Sequence, residues 1–297
     1  MTDTETRSGF VAVVGRPNVG KSTLVNALVG DKVAITSPRP QTTRNTIRGV
    51  LTDEAEGFQI VLVDTPGLHK PKTALGRRLN ALVEASLADA DAIMFVIDAT
   101  QPVGPGDRLI AERLIAAGTP AIVVVNKVDR ADREQIAQRL TEAAEWGFGA
   151  YVPVSALKQD GTAIIVDELA ERLGPGPFFF PTDAVTDQPD RFTAGELIRE
   201  KYLSRLHDEL PHALAVVVDD MEQRPDGLLE IVATAYVERE SQKGMVIGKG
   251  GTMVRDVGTA ARSDLERLFG TRVFLDLRVK VARDWQETDA MLDRLGF

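Results

Sequence analysis

The octapeptide at residues 15–22 constrains the fold of this chain more than any other segment of its sequence. It reads Gly-Arg-Pro-Asn-Val-Gly-Lys-Ser and fits the pattern G-x-x-x-x-G-K-[ST]. An apolar run at residues 10–14 precedes it, and a segment of helical pattern follows it. Glycines in such a loop let backbone N–H groups surround phosphate oxygens at a helix N-terminus, while the lysine neutralises them. The octapeptide therefore predicts a strand, a phosphate-binding loop (P-loop) and a helix, in that order.

Continuous apolar runs alternate with amphipathic segments of helical length over the first 173 residues. Because the runs are continuous, we expect strands that are buried on both faces. The alternation of strands and helices predicts an α/β fold of the P-loop NTPase type, with a mainly parallel, doubly wound sheet. The predicted strands lie at residues 10–14, 60–63, 93–97, 121–125 and 151–154.

The pattern changes after a proline-rich stretch at residues 174–181. Prolines remove backbone donors and restrict their neighbours, so this stretch predicts the end of a helix and a stiff joint. The elements predicted beyond it are a helix at 195–206, strands at 213–218 and 229–237, helices around 248–268 and a strand at 273–281. We expect a first domain at residues 1–180, a linker at 181–194 and a smaller α+β domain at 195–297.

Two side chains with oxygen atoms are suited to hold a magnesium ion beside the phosphates. Ser22 opens the first predicted helix and would give its hydroxyl to Mg²⁺. Asp64 ends the strand at 60–63 and would hold the same ion, usually through water. In the motif Asp64-Thr65-Pro66-Gly67 the Gly67 amide would also sense a γ-phosphate. A nucleoside triphosphate and Mg²⁺ are therefore the predicted cofactors.

The tetrapeptide Asn126-Lys127-Val128-Asp129 follows the strand at 121–125 and predicts which base is bound. The carboxylate of Asp129 accepts from two adjacent N–H donors on guanine, whereas adenine would leave it buried and unpaired. Such a loss discriminates by roughly 10⁴-fold, so we expect GTP and GDP rather than ATP. Ser155-Ala156 is a weaker match to the loop that supports the base. The predicted nucleotide-binding residues are Gly15, Arg16, Pro17, Asn18, Val19, Gly20, Lys21, Ser22, Thr23, Asp64, Thr65, Pro66, Gly67, Leu68, Asn126, Lys127, Asp129, Ser155, Ala156 and Leu157.

These motifs, with Gln41-Thr42-Thr43-Arg44 and Gly67-Leu68-His69, resemble those of the Era family of bacterial GTPases over nearly the whole chain. The resemblance implies a GTP-hydrolysing enzyme in which one threonine closes onto magnesium when GTP is bound. We favour Thr43 for this role and leave Thr42 open. The metal ligands implied are Ser22, Thr43 and Asp64.

Leu68 stands where a glutamine orients the attacking water in Ras-like GTPases. A leucine cannot orient water, so the sequence assigns no catalytic residue, and Lys21, Thr43 and Gly67 only assist. Similarity to GTPases with a hydrophobic residue at this position implies slow intrinsic hydrolysis that relies on other groups. A partner molecule and a K⁺ ion bound beside Asn18 are the two alternatives left open.

Positive charge is concentrated in one part of an otherwise acidic chain. Residues 241–283 carry nine Lys or Arg and four Asp or Glu, a net +5, whereas the whole chain is −9. Within this part a G-x-x-G motif joins two predicted helices of an α-β-β-α-α-β module, which is the organisation of a type II KH domain. Its glycines would let the backbone of a single RNA strand approach. The predicted RNA-binding residues are Lys243, Ile247, Gly248, Lys249, Gly250, Gly251 and Arg255.

The resemblance implies a factor that binds ribosomal RNA near the 3′ end of small-subunit rRNA and assists assembly of the small ribosomal subunit. Two alternatives are a GTPase partner in tRNA modification and a membrane-associated regulatory GTPase. Relatives of the first kind carry a C-terminal cysteine, and this chain has no cysteine. The second kind leaves the G-x-x-G motif unexplained.

Composition limits where such a protein would act. The absence of cysteine fits a reducing compartment, and no apolar run approaches the roughly 20 residues of a membrane span. We therefore expect a cytoplasmic protein. We also expect a monomer that does not bind DNA, although the sequence does not determine the oligomeric state. Peripheral contact with the inner face of the membrane is left open.

Overall fold

The computed structural model describes residues 6–39, 42–68, 71 and 73–297. Gln41 and His69, which belong to the motifs quoted above, lie outside the described residues. The chain divides into two compact units, with the boundary at Asp187 and Gln188. Two short segments from the first half of the chain, Ser37–Arg39 and residues 73–77, belong to the second unit.

A six-stranded sheet forms the centre of the first unit, with strand order β2-β3-β1-β4-β5-β6. All neighbouring strands are parallel except β2, which is antiparallel to β3. The strands are β1 Arg7–Val14, β2 Ile47–Asp53, β3 Phe58–Asp64, β4 Ala92–Asp98, β5 Ala121–Asn126 and β6 Ala150–Val154. The helices are α1 Lys21–Val29, α2 Ala74–Ala88, α3 Pro105–Ala117, α4 Arg133–Ala144 and α5 Thr162–Ala170.

Helices cover both faces of this sheet, so successive strand residues are buried on opposite sides. Val13 packs in one apolar cluster with Leu24 of α1 and Ile165 of α5. Its neighbour Val14 packs in the other cluster with Ile110 of α3. Burial on both faces explains why the strands read as continuous apolar runs. The prediction of a mainly parallel, doubly wound sheet is confirmed.

The proline-rich stretch packs along the first unit rather than leaving it at once. The buried side chain of Gln59 accepts hydrogen bonds from the backbone N–H groups of Phe179 (2.8 Å) and Phe180 (3.0 Å) and donates to Phe180 O (3.0 Å). Further on, the Val50 N–H donates to Val185 O (2.9 Å). The residues up to Asp187 are therefore fixed on β2 and β3.

The second unit contains a three-stranded sheet of order β7-β8-β9, in which β8 is antiparallel to β7 and parallel to β9. Its first helix begins at Asp190, inside the stretch predicted as a linker. The helix begins there because Pro189 occupies the N-cap in an extended conformation and the acidic Asp190 stands in the first turn. The elements are α6 Asp190–Leu203, α7 Leu210–Ala213, β7 Ala215–Gln223, β8 Leu229–Val237, α8 Glu240–Ile247, α9 Thr252–Phe269, β9 Val273–Val281 and α10 Asp289–Arg294.

One side chain and one backbone group hold the two early segments within the second unit. Arg39 donates from Nη2 to Leu206 O (2.9 Å) and lies 2.8 Å from His207 Nδ1. The Leu75 N–H donates to Gln286 O (2.9 Å). These contacts agree with the membership of Ser37–Arg39 and residues 73–77 in the second unit. In the part of the chain that the structure describes, every helix is too short or too polar to cross a lipid bilayer.

Replacing Gln59 by Leu should loosen the first unit, because three backbone groups of Phe179 and Phe180 would lose their partner. We expect a loss of about 1–3 kcal/mol in local stability, measured as faster native-state hydrogen exchange in β2 and β3. Thr52→Val is the matched control, because it removes only the Gln59 Nε2 to Thr52 Oγ1 bond of 2.9 Å. Equal exchange in the two variants would contradict this account of Gln59.

Candidate functional site

The P-loop joins the end of β1 to the start of α1, and its two glycines are needed for different reasons. A Cβ at Gly15 would lie 2.3 Å from Val96 O, so the loop passes too close to β4 for any side chain. Gly20 has a φ of 98°, and a Cβ there would lie 2.4 Å from Asn126 Nδ2. Both positions therefore require glycine, as the pattern of the octapeptide implies.

Lys21 lies under this loop with only 7% of its surface exposed. Its Nζ donates to Gly15 O and to Arg16 O, each at 3.2 Å. Burial lowers the pKa of Lys21 to about 8, and the charge of Asp64 opposes that shift. Because the positive charge is costly in this buried position, bound phosphate oxygens would stabilise it.

Three side-chain oxygens meet next to Lys21. The Ser22 hydroxyl donates to Asp64 Oδ2 at 2.6 Å, the Thr43 hydroxyl lies 3.2 Å from the same oxygen, and the two hydroxyls are 2.9 Å apart. Burial raises the pKa of Asp64, while Lys21 and the two hydroxyls lower it. The structure thus brings Thr43 next to the other two predicted metal ligands, Ser22 and Asp64.

These oxygens fit a magnesium ion. Asp64 is fully buried, and its Oδ1 has no hydrogen-bond partner among the described residues. Hydroxyl and carboxylate oxygens are the ligands that Mg²⁺ prefers, and Mg²⁺ is usually held by one or two carboxylates together with substrate phosphates. The donor set therefore fits an ion that arrives with a nucleotide.

Asn126, the last residue of β5, connects the predicted base-binding segment to the P-loop. Its Nδ2 donates to Val19 O at 3.0 Å, and its Oδ1 accepts from the N–H groups of Lys127 (2.8 Å) and Ala156 (3.1 Å). Ser155 Oγ donates to Asp129 Oδ1 at 2.7 Å and so orients the carboxylate predicted to select guanine. The Ser155-Ala156 pair thus contacts both Asp129 and Asn126 of the predicted base-binding segment. Leu157 is 66% exposed.

Two carboxylates at this site were not predicted from the sequence. Asp98 pairs with Lys127 at 2.6 Å, and Asp107 pairs with Arg16 of the P-loop at 2.8 Å. Asp98 ends β4 as Asp64 ends β3, and polar residues at the carboxyl ends of parallel strands commonly line ligand sites. That position is a signal that could have identified Asp98. Asp107 also caps the Gly104 N–H at the start of α3 (2.9 Å), so its sequence context suggests only a helix cap.

The segment after Asp64 continues close to the P-loop. Thr65 is buried and donates from Oγ1 to Val13 O at 2.7 Å. A Cβ at Gly67 would lie 2.8 Å from Pro17 N, so Gly67 must also be glycine. Leu68 packs against the apolar cluster that includes Ile110 and lines a cavity of about 400 Å³ beside α2 and α3. The structure places no water-orienting group at Leu68.

In the second unit the G-x-x-G motif forms a tight turn between α8 and α9. Gly248, Gly250 and Gly251 have φ values of 76°, 61° and 77°, which favour glycine. A Cβ at Gly248 would lie 2.7 Å from the N atom of Met253, whereas Gly250 and Gly251 face open space. The turn therefore presents a backbone surface that a nucleic-acid strand can approach closely.

The other predicted RNA-binding residues lie around this turn. Lys249 and Arg255 are exposed, and neither forms an ion pair with another described residue. Lys243 and Ile247 are half-buried, so Ile247 both contributes to packing and keeps part of its surface accessible.

Comparison with known proteins agrees with both units. A family model described as "50S ribosome-binding GTPase" matches residues 10–127, and a KH-domain model matches residues 209–286. GTPase Era of Mycolicibacterium paratuberculosis is 53% identical over 300 residues, which cover 99% of this chain and 100% of the relative. The chain belongs to the Era family of GTPases. GTPase Era of Mycobacterium tuberculosis is 52% identical over 301 residues, with the same shares covered.

Solved structures of Era match the chain over nearly its whole length. A Tyr-to-Ala variant of Aquifex aeolicus Era bound to GDP·AlF₄⁻ has a TM-score of 0.94 at 36% identity, covering 98% of this chain and 99% of that one. Era in complex with MgGDPNP and nucleotides 1506–1542 of 16S ribosomal RNA has a TM-score of 0.93 with the same identity and coverage. The predictions of an Era GTPase, and of a G domain followed by a smaller KH domain, are confirmed.

Two glycines at opposite ends of α1 provide a test of the P-loop geometry. Gly20→Ala should weaken GDP binding by roughly 100-fold, because the new methyl group would displace Asn126 from Val19. Gly30→Ala is the matched control, since Gly30 also has a positive φ (80°) but nothing lies within 4 Å of the added Cβ. That variant should lower thermal stability and bind GDP normally in equilibrium titrations. A Gly20→Ala protein with normal affinity would show that the Asn126 contact is unimportant.

Proposed function

We propose that this Era GTPase is a switch that binds single-stranded ribosomal RNA near the 3′ end of the small-subunit rRNA and assists assembly of the small ribosomal subunit. Magnesium-bound GTP or GDP would occupy the first unit, and RNA would bind the second. The observation that carries the proposal is the exposed turn at Gly248–Gly251, together with the exposed basic side chains of Lys249 and Arg255. The Era complex with 16S rRNA nucleotides 1506–1542 supports the same RNA class.

In the first unit each side chain would act on a different part of the nucleotide. Lys21 would neutralise phosphate oxygens, and Asp129, held by Ser155, would accept the guanine N–H groups. Ser22, Thr43 and Asp64 would hold Mg²⁺, which would neutralise charge that develops on the phosphates. Because Leu68 packs among apolar side chains, intrinsic hydrolysis would be slow and the GTP-bound state long-lived.

Control of RNA binding by the nucleotide is the second part of the proposal. Thr43 and Gly67 belong to segments that would rearrange when the γ-phosphate is lost. Ser37–Arg39 and residues 73–77, which are close to them in sequence, belong to the second unit. A rearrangement that reaches Ser37–Arg39 or residues 73–77 would therefore alter the second unit, which supports a nucleotide-dependent affinity for RNA.

The proposal also includes a monovalent cation that binds beside the P-loop. Asn18 has a φ of 65°, an uncommon conformation for a residue other than glycine, and it lies in the P-loop. We propose that K⁺ binds beside Asn18 and stabilises negative charge in the transition state, which would partly offset the missing water-orienting group at Leu68. Faster GTP hydrolysis in K⁺ than in Na⁺, lost in Asn18→Ala, is the expected result, and equal rates in the two salts would contradict it.

A single substitution should change the preferred base from guanine to xanthine. Asp129→Asn should weaken GTP binding by about 100-fold or more and improve binding of xanthosine triphosphate, because the amide donates where the carboxylate accepts. Ser155→Ala is the control: it removes the 2.7 Å support of Asp129 and should weaken GTP binding without any gain for the xanthine nucleotide. Competition binding with the two nucleotides measures both effects. Unchanged GTP affinity in Asp129→Asn would refute the guanine site.

The RNA site is tested by charge reversal at exposed positions. The double variant Lys249→Glu, Arg255→Glu should weaken binding of a synthetic RNA with the sequence of 16S nucleotides 1506–1542. It should also reduce the salt dependence of the association constant by about 1.4 in log–log slope, since each single-strand phosphate contact contributes roughly 0.7.

Arg272→Glu is the matched control for that variant, because Arg272 is exposed and lies beyond the far end of α9. An 18-residue helix is about 27 Å long, so Arg272 lies well away from the G-x-x-G turn. If Arg272→Glu weakens RNA binding as much as the double variant does, the turn is not the binding site.

A further inference from the structure

We propose that Asp98 is a positioning residue of the nucleotide site: it holds the ammonium group of Lys127 on the carbonyl oxygen of Asn18, and so joins the base-binding segment to the P-loop. The inference rests on the proposed guanine site, because Asp98 acts on the nucleotide only through Lys127. Neither the sequence motifs nor the family resemblance includes Asp98.

The position of Asp98 is fixed by the sheet and by its own hydrogen bonds. It is the last residue of β4 and pairs with Asn126 in the parallel register of β4 and β5. Its Oδ1 accepts from the backbone N–H (2.9 Å) and the hydroxyl (2.6 Å) of Thr100. Its Oδ2 faces Lys127 Nζ at 2.6 Å. Both oxygens are occupied, so the carboxylate has one defined orientation.

Lys127 uses the same ammonium group to reach the P-loop. Its Nζ donates to Asn18 O at 2.5 Å as well as to Asp98. Lys127 has a φ of 70° and Asn18 a φ of 65°, so two residues other than glycine adopt left-handed backbone conformations at the ends of this bridge. Such conformations are strained and persist only where the surroundings fix them. The Asp98–Lys127–Asn18 bridge provides such a constraint.

Electrostatics favour a permanent bridge. Burial disfavours the charged form of Asp98, but hydrogen bonds from Lys127 and Thr100 outweigh it and hold the pKa of the Asp98 carboxyl below its usual range. The Asp98 side chain is 8% exposed and that of Lys127 is 26% exposed, so solvent screens the pair only in part. Loss of the carboxylate would leave the ammonium with a single neutral partner, and Lys127 would no longer be held on Asn18 O.

A second link between the same segments runs from Asn126 Nδ2 to Val19 O. The two links hold successive P-loop residues, Asn18 and Val19, against successive residues of the base-binding segment. Because Lys127 and Asn126 act in parallel, loss of Asp98 should loosen the site rather than abolish binding.

The experiment uses the full-length protein and follows the dissociation of N-methylanthraniloyl-GDP by stopped-flow fluorescence. Asp98→Asn, which keeps the shape but removes the charge, should release the nucleotide about tenfold faster. Lys127→Met should also accelerate release, and the double variant should be no faster than Lys127→Met alone. This lack of additivity tests the pathway through Lys127, which a general loss of stability would not reproduce.

Asp107→Asn is the matched control, because Asp107 also pairs with a P-loop residue but does not contact Lys127. Its effect should add to that of Lys127→Met. The inference is overturned if Asp98→Asn releases the nucleotide at the wild-type rate, or if its effect adds fully to that of Lys127→Met. Asp129→Asn distinguishes an error in the guanine site from an error in the role of Asp98. If Asp129→Asn keeps normal GTP affinity, the guanine site itself is misassigned. If Asp129→Asn gains xanthine binding while Asp98→Asn has no effect on nucleotide release, only the role of Asp98 is wrong.

Discussion

The hydrogen bonds of Asn126 are the interaction on which the rest of the nucleotide site depends. One amide group reaches the P-loop through Val19, the base-binding segment through Lys127 and the following loop through Ala156. These contacts are possible because β1, β4, β5 and β6 are parallel and end at the same edge of the sheet. They also explain why Gly20 must lack a side chain, since the Asn126 amide occupies that space.

Two buried charges at this edge of the sheet, those of Lys21 and Asp64, are destabilised by burial and would be stabilised by bound ligands. Burial lowers the pKa of Lys21 to about 8 and raises that of Asp64, so both charged forms are disfavoured by the surrounding protein. A phosphate would stabilise the lysine, and a divalent cation would stabilise the carboxylate. The buried lysine and carboxylate therefore fit a magnesium–nucleotide complex.

The sequence predicts those parts of the molecule that obey local rules. The P-loop, the Asp64 motif and the Asn126 motif could be identified because phosphate and guanine binding require particular residues at fixed spacing after buried strands. The G-x-x-G turn could be identified from its place between two helices of a basic segment. The doubly wound sheet followed from the continuous apolar strands, which the helices on both faces explain.

The missed features depend on contacts that are distant in sequence. Asp98 meets Lys127 only because β4 pairs with β5, and Arg16 meets Asp107 only because α3 begins beside the P-loop. Gln59 fixes a segment 120 residues away, so the proline-rich stretch belongs to the first unit instead of forming the joint that its composition suggests. Membership of Ser37–Arg39 in the second unit likewise has no local pattern, since it depends on tertiary contacts such as that of Arg39 with Leu206.

The central claim is that the nucleotide state of the first unit controls RNA binding by the second. The most direct test is the affinity of the full-length protein for one RNA, that of 16S nucleotides 1506–1542, with saturating Mg²⁺ and either GDPNP or GDP at fixed salt. The account predicts affinities that differ by at least about fivefold between the two states, and an equal, reciprocal effect of the RNA on the relative affinities for GDPNP and GDP. Identical RNA affinities in both states would contradict it.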